Sequence, residues 1–295
     1  MHENRLTLRK SQVRELLIQQ APQYAYLELH ALNTAGTVNY VYRLGESFSL
    51  RFPMQKEDPV LALQHMRDEF KAMEEFASVS PFQVPHPIFV GEPSQTYPMP
   101  WLIETWVPGV VVTPHSLAQS HSFAEDLVNL ISTLRDVDTR GRTFQGTNRG
   151  GDLFVHDAWM NECFLRSEDL LDTTTLRKMW QTFRSLSRED ADCMSHTDLI
   201  PFNLLAANEC LVGVLDTGNF QAADPALDLV AAWHMLEHEP RELVRKELGC
   251  SELQWERGKA WAFQQASGLV WYYKDSNPAM ADLGRTCLER LMAES

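Results

Sequence analysis

His196, Asp198 and Asn203 fall in "SHTDLIPFN", and Asp216 and Gly218 follow in "VLDTGNF". An aspartate, an asparagine at D-x-x-x-x-N spacing and a later D-x-G are the residue types that phosphoryl transfer from a nucleotide uses. That reaction asks the protein for little covalent help. It needs an acceptor hydroxyl positioned, a triphosphate held and its charge neutralised. Asp198 is the candidate catalytic residue, taking or orienting the hydroxyl proton. Asn203 and Asp216 supply oxygen ligands suited to Mg²⁺, a hard cation. Each short motif alone is ordinary, since two turns with solvated acids look the same. The two in order, with the strand-like "LLAANECLVGV" returning between them, are more specific.

The elements before this segment must then supply a cation for the phosphates. After a helix over 11–22, capped by Ser11 and ended by Pro22, strand patterns cover "YAYLELHAL", "NYVYRLG" and "FSLRFPM". They form an antiparallel meander. Its third strand carries Arg51. The following helical pattern, 58–77 with Pro59 in its first turn, carries Glu69, with Glu74 and Glu75 as competitors. Arg51 is placed to hold the α- and β-phosphates, with Glu69 holding Arg51. The turn "NTAGTVN", through Gly36 and Thr37, is placed to cover the phosphates with backbone N–H groups. Two further strands are expected over Pro87–Val90 and Trp101–Val107, before a break at Pro108 and Gly109.

The remainder reads as helical, with a β-rich island over Asn203–Gly218. Amphipathic patterns cover 121–138, 172–186, 224–240 and 255–274. Two domains are expected, an N-terminal lobe over 1–107 and a helical lobe over 108–295. The fold class is α+β, a small antiparallel sheet followed by a larger, mainly helical part.

The 295 residues carry a formal net charge of -14. That charge repels nucleic-acid phosphates and anionic lipid headgroups and welcomes a cationic small substrate. Five scattered cysteines, with no CxxC pair, read as reduced thiols. No apolar run approaches a membrane span, and the N-terminal segment lacks the apolar core of a signal peptide. A soluble, cytoplasmic protein, monomeric or homodimeric, is expected.

These segments together resemble the aminoglycoside phosphotransferase family, small-molecule kinases with a protein-kinase-like fold. "AGTVNYVYRLGESFSLRFP" is similar to its first-lobe motif, "RDEFKAMEEF" to the helix with the partner glutamate, and "YPMPWLIETWVPG" to the strand entering the hinge. "SHTDLIPFNLL" resembles its H-G-D-x-x-x-x-N segment, and "GVLDTGNFQAADPALDLVAAW" its I-D-x-G followed by D-P-x-x-D-L. "WERGKAWAF" and "YYKDSNP" resemble one branch of the family. The resemblance implies a bilobal kinase using ATP or GTP with Mg²⁺. It implies nucleobase contacts at the hinge (Glu104, Thr105, Trp106 and Val107), and loop-orienting roles for His196, Asp224 and Asp228. The acceptor it implies is a hydroxyl of an aminoglycoside or other antibiotic, or of a metabolite alcohol. Two residues depart from the pattern. Thr197 stands where glycine is usual, and Thr217 replaces an aromatic and is expected to pack less.

One further motif points to different chemistry. His234-Met235-Leu236-Glu237-His238 matches H-x-x-E-H, which on one helix sets two histidines on one face for zinc with Glu237 as base. Pro240 reads as ending that helix, which makes a helix-end histidine pair the simpler expectation. A zinc hydrolase and a nucleotide-binding pseudokinase stay open as alternatives. Glu237, Glu239 and Glu242 are the candidate acids for a substrate's ammonium groups.

Overall fold

The computed structural model describes residues 5–32 and 38–294. Two compact units emerge. The first holds the described residues of Met1–Ser78, with Gln83–Pro108 and Val214–Asn219. The second holds Val79–Phe82, Gly109–Gly213 and the described residues of Phe220–Ser295.

In the first unit, α1 (Lys10–Gln20) precedes β1 (Leu29–Leu32), β2 (Asn39–Leu44) and β3 (Phe48–Pro53). Then come α2 (Pro59–Val79), β4 (Pro87–Gly91) and β5 (Trp101–Thr105). The five strands form an antiparallel sheet in the order β1-β2-β3-β5-β4. The first expected strand is shortened. Pro22–Tyr24 forms a 3-10 turn, and Arg14 donates to the Leu27 carbonyl at 2.8 Å, so pairing starts only at Leu29.

Strand alternation decides which side chains leave the core. In β3, Leu50 and Phe52 are buried with Leu16, Leu29 and Trp101, so Ser49 and Arg51 point to the opposite face. Register then sets Glu104 of β5 directly across from Ser49. In α2, Ala62, Met66, Met73 and Phe76 form the buried stripe. Glu69 falls between Met66 and Met73 at helical spacing, so it lies on that stripe, unlike Glu74 and Glu75. Asp58 caps α2, accepting from Val60 and Leu61 N–H groups at 2.9 and 3.0 Å.

The second unit contains β6 (Val110–Val111), α3 (His121–Arg135), α4 (Asp157–Arg166), α5 (Thr173–Phe183), β7 (Cys193–Ser195) and β8 (Leu204–Ala207). Next are β9 (Cys210–Val214), whose last residue packs with the first unit, β10 (Gln221–Ala223) and four helices. The helices are α6 (Val230–Met235), α7 (His238–Glu247), α8 (Glu252–Tyr273) and α9 (Pro278–Met292). β6, β8 and β9 form one sheet, and β7 pairs antiparallel with β10. The turn between β8 and β9 has Asn208 and Glu209 in the left-handed region, at φ 51° and 64°, as a two-residue hairpin turn requires.

Two helix expectations need correction. Residues 255–274 read as amphipathic, but α8 is buried on every face from Arg257 to Val270, as the central helix of its unit. The run 224–240 is not one helix. It breaks at Leu236 and Glu237, both extended, and α7 starts anew at His238. Pro240 is the cause: inside a continuing helix its ring would clash with the Leu236 carbonyl, four residues earlier. That carbonyl instead accepts from Arg241 at 3.0 Å.

Candidate active site

In the first unit the alternation of β3, the register of β5 and the stripe of α2 bring three carboxylates onto one guanidinium. Arg51 Nη2 donates to Glu69 Oε1, and Arg51 Nη1 to Asp216 Oδ1 at 3.3 Å. Arg51 Nε lies 3.3 Å from Glu104 Oε2, at ion-pair distance but without hydrogen-bond alignment. Arg51 and Glu104 are nearly buried, with side chains 13% and 9% exposed, whereas Asp216 is 41% exposed. Burial alone would lower the Arg51 pKa, but the charges of Glu104, Glu69 and Asp216 outweigh it and hold it above its ordinary value. Burial pushes the Glu104 carboxyl up, with Arg51 opposing. Gly218 is needed here for room. A Cβ would lie 2.0 Å from Glu69 Cγ, so the D-x-G glycine lets the α2 glutamate lie flat beside it. Thr217 does not pack loosely: it is fully buried, its hydroxyl without a hydrogen-bond partner.

In the second unit, β7 ends at Ser195 and releases the loop that carries Asp198. Asp228, itself buried, accepts from the His196 N–H at 2.9 Å and the Thr197 N–H at 3.0 Å. His196 Nδ1 accepts from the Asp198 N–H at 3.3 Å. Asp198 Oδ1 accepts from Arg149 Nη2 and from Gln265 Nε2, both at 2.8 Å. Its Oδ2 accepts from Asn203 Nδ2 at 3.2 Å, and the same Nδ2 reaches the Asp198 carbonyl at 2.9 Å. The amide oxygen of Asn203 is thereby turned to the other edge. Among the described residues, Asp224 shows no bond to the 196–203 loop. It accepts from Arg257 Nε and Trp261 Nε1 at 2.9 Å each, and from the Ala226 N–H at 3.0 Å. It anchors the Arg149 segment instead: the Asp224 N–H donates to the Gly150 carbonyl at 2.9 Å, and Arg257 donates to the Gly151 carbonyl at 2.9 Å.

Thr197 has φ 71°, in the left-handed region that a β-branched residue rarely adopts. The two N–H bonds to Asp228 impose that turn, which explains why glycine would suit the position. Thr197→Gly is expected to relieve this strain and stabilise the protein by about 1 kcal/mol. Thermal melts of the two proteins check this.

The phosphotransferase enzyme family (APH) matches residues 31–261. The chain belongs to this family. No match was found among curated protein sequences. Among solved structures, the fold is similar to that of the GDP and kanamycin complex of APH(2")-IIia, with 16% identity and a TM-score of 0.70, covering 97% of this chain and 100% of that one. It is also similar to macrolide 2'-phosphotransferase MphH from Brachybacterium faecium, with 17% identity and a TM-score of 0.62, covering 94% and 97%. ADP-bound APH(2'')-Ib follows at 17% identity and a TM-score of 0.60, covering 96% and 99%. This phosphotransferase therefore has the kinase-like α+β fold of its family, a sheet-rich unit and a mainly helical one.

Other expected site residues fare differently. Gly36 and Thr37 lie outside the described residues. At the hinge, the Thr105 N–H is taken by the His86 carbonyl (2.9 Å) and the Trp106 N–H by the Ser47 carbonyl (2.8 Å). Those two donors are already spent within the first unit, and the Glu104 side chain belongs to the Arg51 cluster. The H-x-x-E-H motif is split. His234 is the last residue but one of α6 and His238 the first of α7, so the spacing does not set them on one helical face. Glu237 is bound by Arg290 Nε and Nη2 at 2.9 and 2.8 Å. Among the described residues no cluster of three or more His, Cys, Asp or Glu could hold a metal ion. No helix among them is long and apolar enough to cross a membrane.

Motif spacing does not single out Arg149, Gln265 or the carboxylate role of Glu104. Gln265 had a signal: it is polar in a stretch, "WAFQQASGLVW", that is apolar at almost every other position. Arg149, in the loop segment "TNRGGD", had none.

Proposed function

We propose that this phosphotransferase moves the γ-phosphate of ATP or GTP onto a hydroxyl of a small molecule, with Asp198 orienting that hydroxyl and receiving its proton. The observation that carries this is the Asp198 carboxylate itself. Among the described residues its Oδ1 is held twice, while Oδ2 keeps a single bond, to Asn203. A carboxylate anchored by one oxygen and open at the other is built to accept a hydrogen bond from an incoming O–H. Arg51 is the phosphate-holding cation, kept in place by Glu69 and Glu104. The Nη1 edge on the half-exposed Asp216 is where a phosphate would compete. On this reading residues 1–107 form the nucleotide-binding lobe, with the hinge nucleobase contacted by backbone carbonyls and the Val107 N–H, and 108–295 carry the catalytic loop and acceptor site.

The donor chemistry fits Mg²⁺. Asn203 presents an amide oxygen and Asp216 a carboxylate, hard ligands that suit an ion sharing its shell with phosphates and water. When bound, Mg²⁺ supplies neutralisation of phosphate charge. Asp216→Ala is expected to remove Mg²⁺-dependent nucleotide binding, measured by calorimetry with and without the ion. Unchanged binding would sink the assignment.

The acceptor is an aminoglycoside-type antibiotic on the first reading. A second reading, a metabolite alcohol bearing little positive charge, is favoured by Arg149. Its guanidinium sits on the very carboxylate that would meet the acceptor. Of the acids offered to ammonium groups, Glu237 is paired with Arg290, and Glu242 lines a 360 Å³ cavity together with Glu256, Glu294, Arg245 and Lys259. Nucleoside-diphosphate release with kanamycin, a macrolide, an amino alcohol and a hydroxy acid separates the two. Stimulation by kanamycin alone supports the first, and stimulation by the hydroxy acid alone supports the second.

A further inference from the structure

Gln265 lies mid-way along α8, where its neighbours are buried on all faces. A buried amide must satisfy both of its edges. Its Nε2 donates to Asp198 Oδ1 at 2.8 Å, and its Oε1 lies 3.1 Å from His234 Nε2. All three residues belong to the second unit. An ionised aspartate only accepts, so the NH₂ edge of Gln265 must face Asp198 and the carbonyl edge must face His234. His234 Nε2 must then carry the proton, which leaves Nδ1 bare. That nitrogen is fully buried without a hydrogen-bond partner, and the whole side chain is inaccessible. An apolar residue would fill the place with no orphaned atom, so the histidine brings nothing to packing that leucine would not. Its function is on the other nitrogen.

From this geometry we infer that Gln265 and His234 are positioning residues for Asp198. His234 fixes which way the Gln265 amide points, and Gln265, with Arg149, fixes Asp198 Oδ1, so that Oδ2 is the oxygen offered to the acceptor. The inference rests on the reading of Asp198 as the hydroxyl-orienting group. Burial keeps His234 neutral, its pKa pushed down to about 3, so the relay keeps one polarity across the range in which such enzymes work.

Proton–nitrogen correlation spectra of the imidazoles test the relay without any acceptor. His234 should show the Nε2–H tautomer from about pH 5 to about pH 8. An Nδ1–H tautomer or an imidazolium there would overturn the relay. Asp198→Ala should shift the His234 ring signals although the two side chains do not touch, and unchanged signals would equally overturn it. In kinetics, with water as the acceptor of the γ-phosphate, His234→Leu should lower kcat about tenfold at unchanged nucleotide KM. His234→Gln, which restores an N–H donor, should recover most of that loss. Equal kcat in both variants and wild type would remove the positioning role. Should Asp198→Ala itself leave turnover intact, the functional reading fails while the spectra still judge the relay.

Discussion

Asp198→Ala is expected to lower phosphoryl transfer about a thousandfold while nucleotide binding survives. The side chain is held from three sides, by Arg149, Gln265 and Asn203. Such anchoring fixes one oxygen and leaves the other to align the acceptor. Alanine removes the hydroxyl's partner and leaves Arg51, the proposed phosphate-holding cation, unchanged. Loss should therefore appear in kcat, with nucleotide affinity by calorimetry near that of the wild type. Arg149 is partly exposed, so its orphaned charge can be solvated and the fold should persist, as circular dichroism would verify. Retained turnover would remove Asp198 from its role.

Arg51→Met is expected to destabilise the protein by about 4 kcal/mol, in the range measured when one partner of a buried ion pair is removed. Three carboxylates converge on this guanidinium, and Glu104 is almost wholly buried. Methionine fills much of the volume but answers none of the charge. The pH dependence has a definite sign. Burial already raises the Glu104 pKa in the folded protein, and loss of Arg51 raises it further. A group whose folded pKa is raised favours folding at low pH and ceases to do so as pH rises through that value. The deficit of the variant should thus be smaller near about pH 5 than near about pH 8, measured by denaturant melts. A deficit that grows on acidification would mean that Glu104 is not the uncompensated group.

What was legible in the sequence follows from how information is stored there. Asp198, Asn203 and Asp216 sit within one short stretch, so spacing alone exposed them. Arg51 and Glu69 were legible because strand alternation and the helical stripe each fix a side chain's direction before any tertiary contact is known. Glu104 was chosen for its backbone, since only the register of β3 against β5 reveals that its carboxylate faces Ser49 and Arg51. Gln265 was hidden for a different reason. An apparent amphipathic period in 255–274 suggested a solvated face for α8, whereas burial on all sides makes each of its polar residues an obligatory bonding partner. Arg149 lies in a loop, and nothing local links it to a residue forty-nine positions later. Pro240 foreshadows the split of 224–240, since a proline suits the first turn of a new helix as well as the end of an old one.

Transfer of a γ-phosphate to a hydroxyl is the activity this chain is proposed to have. The most direct measurement is nucleoside-diphosphate release from ATP and from GTP, with Mg²⁺, across aminoglycosides, macrolides, amino alcohols, sugars and hydroxy acids, with phosphorus NMR of the product. At least one acceptor should stimulate release and appear as a phosphate monoester, and Asp198→Ala should abolish both signals. Tight nucleotide binding with no stimulation by any hydroxyl compound would contradict the claim and make the chain a nucleotide-binding pseudokinase.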